Sequence, residues 1–305
     1  MNDNKTSKNS IVAKFAVPIS FLILFFLAAN FTDCDLVTFW KRRNHLTDLV
    51  VDMIPPDFSY IQKILLPLFY TIQMSVTGTV LGTFFALVLS PFGAANLGFP
   101  AVIRRILRIV IQILRSFPAL ILALTATFLF GLGTFAGTFA ITLYTFAIMT
   151  KLTYEDASAA DVKAYQALRA MGVSKYVAYI HGILPEIIPG FLTNALYLLE
   201  TNVRHSSILG YVGAGGIGLL LNEKISWLEY DKVGTILLML FLTVCVIEYF
   251  SRYLAALIRK ERTIKKEQAR LLLLFLAALF LICTFTLSLP DFSRTSPVSY
   301  THLTL

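Results

Sequence analysis

Residues 152–190, LTYEDASAADVKAYQALRAMGVSKYVAYIHGILPEIIPG, form a polar interval between two apolar runs. A connection of this length is usually ordered and functional. Its punctuation divides it into two short helices. The first is expected from Ala157 to Met171, with Gly172 as its C-cap, and Ser174 then opens a second that stops before Pro185. A helical hairpin held between two membrane spans has an apolar side that a partner must cover.

Outward from this interval the chain is dominated by apolar runs, at roughly 15–31, 64–90, 117–135, 136–150, 187–203, 232–251 and 271–289. A bilayer core takes about 20 such residues per helix, so about seven spans are expected. Gly131-Leu132-Gly133 allows a tight reversal between the third and fourth runs. Residues 101–115 carry Arg104, Arg105, Arg108 and Arg115 among Ile, Leu and Val. That pattern fits an interfacial amphipathic helix or a basic entry into the third span, at one membrane surface in either case.

Composition agrees with the runs. Of the 305 residues, 57% are hydrophobic and 14% charged, far from the globular norm of about a quarter charged. The mean hydropathy of +0.73 excludes a disordered chain. The fold class is therefore all-α, a polytopic transmembrane bundle of about six core helices plus one C-terminal helix. Its divisions are residues 1–63 (cytoplasmic segment, first span, external loop), 64–258 (core, with the loop 152–190) and 259–305 (basic linker, further helix and tail).

The net charge of +8 does not point to nucleic acid, because Lys and Arg lie between apolar runs instead of along one basic face. It reads as topology. One set of alternate connections holds 18 Lys and Arg and the other holds 8, which places the amino terminus in the cytoplasm. The first apolar run lacks a small-residue cleavage site and is read as a retained helix. Cys34, Cys245 and Cys283 fit neither a disulfide framework nor a zinc spacing.

The stretch Gln166-Ala167-Leu168-Arg169-Ala170-Met171-Gly172, followed by Leu184-Pro185, resembles the EAA loop of permease subunits of bacterial ABC importers. The family pattern runs Glu-Ala-Ala, then Gly, then Ile and Leu-Pro. This chain departs from it with Gln166 for Glu, Leu168 for the second Ala and Gly182 at the Ile position. Ala167–Ser174, Arg115-Ser116-Phe117-Pro118 and above all NVRHSSILGYVGAGGIG at 202–218 resemble the phosphonate-type permeases, and the likeness covers most of residues 60–255.

The resemblance implies that Gln166, Ala167, Ala170, Gly172, Leu184 and Pro185 couple the spans to an ATPase. Small residues there would permit close docking in a groove of that subunit. It further implies a pair of ATP-binding subunits, an external substrate-binding protein and a second permease half, in a bacterial inner membrane. No cofactor is expected in the chain, since ATP and Mg belong to the partner. The substrate so implied is phosphonate or a related phosphorus oxyanion. A methionine- or amino-acid-type importer permease shares the loop and is the alternative.

Polar residues at membrane depth are the remaining candidates. Glu200, Asn202, Arg204 and His205 lie near the end of an apolar stretch, and Glu200 and Arg204 are i, i+4 neighbours. They read either as a self-satisfied ion pair or as a pathway site in which Arg204 attracts an oxyanion. Gly213, Gly215 and Gly218 match a dinucleotide fingerprint in spacing, but without a preceding strand they and Gly216 suit close packing or a broken helix beside the pathway. His205 beside Ser206 and Ser207 lacks an orienting Asp, and no paired carboxylates, metal ligands or catalytic set favour an intramembrane enzyme. Residues 271–289 are either a seventh helix or the opening of a second, truncated repeat.

Overall fold

The computed structural model describes residues 16, 18–28, 31–32 and 36–260. They fall into two units that meet between Pro55 and Pro56. The first unit holds the short apolar helix α1 (Pro18–Ala28) and α2 (Leu36–Asp52). Residues 36–52, expected in an external loop, are thus helical. In α2 the Arg43 guanidinium covers the Trp40 ring at 4.6 Å. The expected span at 271–289 lies outside the described residues.

In the second unit a 3-10 turn (Phe58–Tyr60) leads into α3 (Ile61–Gly93). Then follow α4 (Ala101–Ser116), α5 (Ala119–Phe130) and α6 (Thr134–Ala159). The coupling segment gives α7 (Lys163–Ala170) and α8 (Lys175–Gly182), and the chain continues as α9 (Leu184–Leu209), α10 (Ile217–Ser226) and α11 (Tyr230–Lys260). No strand occurs among the described residues. Among the described residues three helices are long and apolar enough to cross a membrane alone, and the number reaches five if each of two bent pairs is one span.

The expected third span, 117–135, is corrected. Pro118 holds Phe117 extended at φ −85°, ψ 127°, and α4 and α5 meet at 95°. With 12 residues α5 is only about 18 Å long, against a bilayer core of about 30 Å. α5 and the strongly amphipathic α4 therefore form a sharply broken pair and not one straight span. Of the two readings of residues 101–115, the separate amphipathic helix is the one observed.

The first loop helix is corrected as well. The fourth span continues to Ala159, so residues 152–159 belong to it and the next helix begins at Lys163, not at Ala157. Ala160 turns extended at φ −66°, ψ 156°, and the Asp161 carboxylate accepts from the Lys163 N–H at 2.9 Å. That bond, with the Lys163 ammonium 3.1 Å away, holds the exposed Asp161 carboxyl below its usual pKa.

Helices α3 and α6 are the central pair, with α5 and α9 packed on α6 and α11 on α9. In a bilayer close packing has to replace the hydrophobic drive between helices. Gly78 and Gly82 supply it. A Cβ on Gly78 would lie 2.7 Å from Ile141 Cγ2, and one on Gly82 would lie 2.7 Å from Thr145 Cβ. The resulting core gathers Met74, Ala123, Ala126, Ala140 and Ile141.

Candidate functional site

The hairpin α7–α8 is built on the loop after α3. Tyr165 Oη donates to the Leu97 carbonyl at 2.7 Å, and the Lys175 ammonium donates to the Gly98 carbonyl. Asn96 Nδ2 reaches the Ala157 carbonyl at 3.0 Å, tying the same loop to the end of α6. Beneath the hairpin Ala94, Leu97, Ala157, Tyr165, Ala178, Tyr179 and Ile183 form a closed apolar cluster. Burial raises the Tyr165 phenol pKa, which keeps it a donor to Leu97 across the physiological range.

Two glycines shape the hairpin in different ways. Gly172 sits at φ +84°, the left-handed position after a helix, and a Cβ there would meet open space. Gly182 is a contact glycine, since its Cβ would lie 2.8 Å from the Tyr165 nitrogen. The departure from the family pattern at Gly182 thus has a packing reason. Ser174 caps α8 as expected, accepting from the Val177 N–H at 3.4 Å.

Gln166, Ala167, Ala170 and Gly172 lie together on the exposed side of this hairpin. Met171, at 70% exposure, crowns them and was not among the expected residues. Leu184 is half-buried against the cluster below, while Pro185 is exposed in the first turn of α9. The structure thus separates the six coupling candidates into an exposed knob and a base.

At membrane depth the candidates also divide. Asn202 is 1% exposed, and its amide nitrogen donates to Thr79 Oγ1 and Thr145 Oγ1, each at 2.8 Å. One turn away, the Ser75 and Ser206 hydroxyls meet at 2.7 Å. These bonds join α3, α6 and α9 from within. Glu200 and Arg204 form an ion pair along one face of α9, so the arginine charge is neutralised locally. His205 instead turns toward α6, where its ring meets Tyr144 edge-on at 5.4 Å.

The glycine run is a corner between α9 and α10. Gly213, Gly215 and Gly216 have φ of +80°, +78° and +73°, and the Gly133 N–H donates to the Gly213 carbonyl at 3.0 Å. Thr71 Oγ1 accepts from the Ile217 N–H at 2.8 Å, and a Cβ on Gly216 would lie 2.6 Å from that oxygen. The run packs against α3 and the 131–134 reversal. Beyond it, Lys224 is buried between Trp227 and Tyr60 and pairs with Glu223 and Glu229, both at 3.0 Å. Burial lowers its pKa, but hydrogen bonds to Glu229 and Glu223 overcome this and hold it above the usual lysine value. No group of His, Cys, Asp and Glu among the described residues could hold a metal ion.

A multi-span helical bundle interrupted by an anchored hairpin with an exposed knob is the architecture of a transport permease. Residues 78–262 match the family of binding-protein-dependent transport system inner membrane components, and the chain belongs to that family. It is a multi-pass permease subunit of an ABC importer and not an enzyme. The phosphite transport system permease protein PtxC of Stutzerimonas stutzeri is 31% identical over 217 residues, 71% of this chain and 79% of the relative. The phosphate-import permease protein PhnE of Mycolicibacterium smegmatis is 31% identical over 66% of this chain, which spans 38% of that longer protein. The inward-facing MetNI methionine ABC transporter shares the fold, with a TM-score of 0.59 and 20% identity over 66% of this chain and 99% of that one.

Proposed function

We propose that this chain is the membrane half of an importer that moves a phosphorus oxyanion, phosphonate or phosphite, into the cell by alternating access. The observation that carries the reading is the 31% identity, over 71% of the chain, to a permease of a phosphite system. The likeness to the methionine transporter concerns fold alone and does not favour an amino acid.

In this reading one of a pair of ATP-binding subunits docks on the exposed knob of Gln166, Ala167, Ala170, Met171 and Gly172. The buried base, Tyr165 to Leu97 and Leu184 with its neighbours, transmits their closure to α3, α6 and α9 because it is packed on all three. ATP and Mg act in those subunits. An external binding protein delivers the substrate, and a second permease half completes the pathway. The charge asymmetry of the connections supports a cytoplasmic amino terminus and knob.

The test is uptake by proteoliposomes holding this chain, its ATPase and its binding protein. ATP-dependent accumulation of labelled phosphite or methylphosphonate is the expected result. Accumulation of methionine with neither phosphorus compound would overturn the substrate.

A further inference from the structure

The exposed side of α4 divides lengthwise into two stripes. Val102, Ile106, Ile109 and Ile113 recur at helical spacing on one face and are 50–69% exposed. Arg105, Gln112 and Ser116 recur in the same way on the neighbouring face, all exposed. Because α4 meets α5 at 95°, it does not prolong that helix in line through the bilayer. An amphipathic helix of this kind lies in the interface, with its apolar stripe among acyl chains.

The first two turns of α4 also gather cations. Arg104 Nη1 donates to the Ala95 carbonyl at 3.4 Å, and Arg108 Nε donates to the Gly93 carbonyl at 3.0 Å, its guanidinium 5.0 Å from the centre of the Tyr154 ring. Lys175 donates to Gly98 of the same loop, and Arg105 is exposed beside Arg104. Carbonyls and a ring orient these cations without cancelling their charge. α4 contains no acidic residue, and among the described residues no carboxylate forms an ion pair with any of the four. Arg204 and Arg252 by contrast each hold a glutamate one turn away.

We propose that the first two turns of α4 bind the phosphate headgroup of an anionic phospholipid in the cytoplasmic leaflet, with its acyl chains along the stripe from Val102 to Ile113. The inference rests on the cytoplasmic placement of the knob proposed above, since Tyr165 and Lys175 fasten the loop before α4 to the hairpin. Uncompensated cations attract an anion, and the guanidinium fork matches phosphate oxygens. The adjacent apolar stripe takes hydrocarbon. One anionic lipid supplies both, whereas a free phosphate or an acidic protein surface supplies only the charge. The loop whose carbonyls hold Arg104 and Arg108 also carries Leu97, the acceptor of Tyr165, so bound lipid braces the base on which the hairpin stands.

The test compares retention of phosphatidylglycerol and phosphatidylcholine by the purified full chain in detergent, read by native mass spectrometry. Wild type should prefer phosphatidylglycerol. Arg104→Gln with Arg105→Gln should lower that preference roughly tenfold, while Arg104→Lys with Arg105→Lys keeps most of it. Arg108 is left in place because it packs on Tyr154. Thermal melts report folding, and phosphatidylglycerol should raise the midpoint of wild type but not of the glutamine pair. If that pair does not fold, Arg105→Gln alone, which removes no hydrogen bond, is judged by the same measurements. Equal retention of the two lipids by wild type, or an unchanged preference in the folded glutamine variant, overturns the lipid site. So does inorganic phosphate that raises the wild-type midpoint as far as phosphatidylglycerol does. Labelling of Gln166→Cys only from outside the cell, in a chain whose own cysteines are replaced by serine, defeats the cytoplasmic placement instead, whatever the lipid retention.

Discussion

Asn202 Nδ2 stands 2.8 Å from Thr145 Oγ1, across the interface of α9 and α6, and the same nitrogen reaches Thr79 Oγ1 on α3. One amide therefore ties three spans at one level. Interhelical hydrogen bonds in membranes average about 0.6 kcal/mol, with some larger. Their effect here is increased by burial, since neither hydroxyl has water to replace the lost donor.

Asn202→Leu should lower the stability of the purified permease by roughly 1–2 kcal/mol, the sum of two such bonds and some misfit. A thermal melt in detergent measures it. An unchanged midpoint would show that the amide clamp contributes nothing.

Gly82→Leu should prevent a stable fold altogether. Its Cβ would lie 2.7 Å from Thr145 Cβ and 2.8 Å from the Thr142 carbonyl, so α3 would have to move away from α6. Overpacking usually costs about 1–3 kcal/mol, and here backbone lies on the far side. Monodisperse protein at wild-type yield would contradict the packing.

Gly172→Val should insert normally but uncouple ATP hydrolysis from uptake, because a β-branched residue at φ +84° costs about 1–2 kcal/mol and shifts the knob. Gly172→Asn should retain more coupling, since Asn tolerates the left-handed region. Equal loss in both variants would place the requirement in docking, not in the turn.

The α10–α11 corner should loosen in acid. Lys232 and then Lys224 hold the Glu229 carboxyl below its usual range. A depressed folded pKa means that the stabilisation is present above the unfolded carboxyl pKa and is lost as pH falls through the folded one. Thermal melts should therefore fall on acidification, and Glu229→Gln should flatten that dependence while lowering the neutral-pH midpoint. Parallel pH profiles for the two proteins would remove Glu229 from the account.

The membrane class, the helical class and the hairpin between Ala160 and Leu184 were legible in the sequence because they depend on local quantities. Twenty apolar residues in a row need a bilayer whatever surrounds them, and Gly172 and Ser174 shape their turns through their own φ preferences and side-chain reach. The Gly78-xxx-Gly82 spacing carried a contact-face signal that the sequence reading did not use. The bend at Pro118 was only half legible, since a proline marks a break without setting its angle.

The roles of the polar residues at depth were decided by tertiary structure. Asn202, Arg204 and His205 are neighbours in sequence, yet helical periodicity sends Asn202 into the α3–α6 interface, Arg204 back along α9 to Glu200, and His205 to Tyr144. Which of them is satisfied depends on partners 57 to 123 residues away for Asn202, four for Arg204, and on a different helix for His205. The same holds for Gly182, whose lack of a side chain matters only because Tyr165 crosses above it. Burial and pairing are properties of the assembled bundle, and composition and spacing carry no record of them.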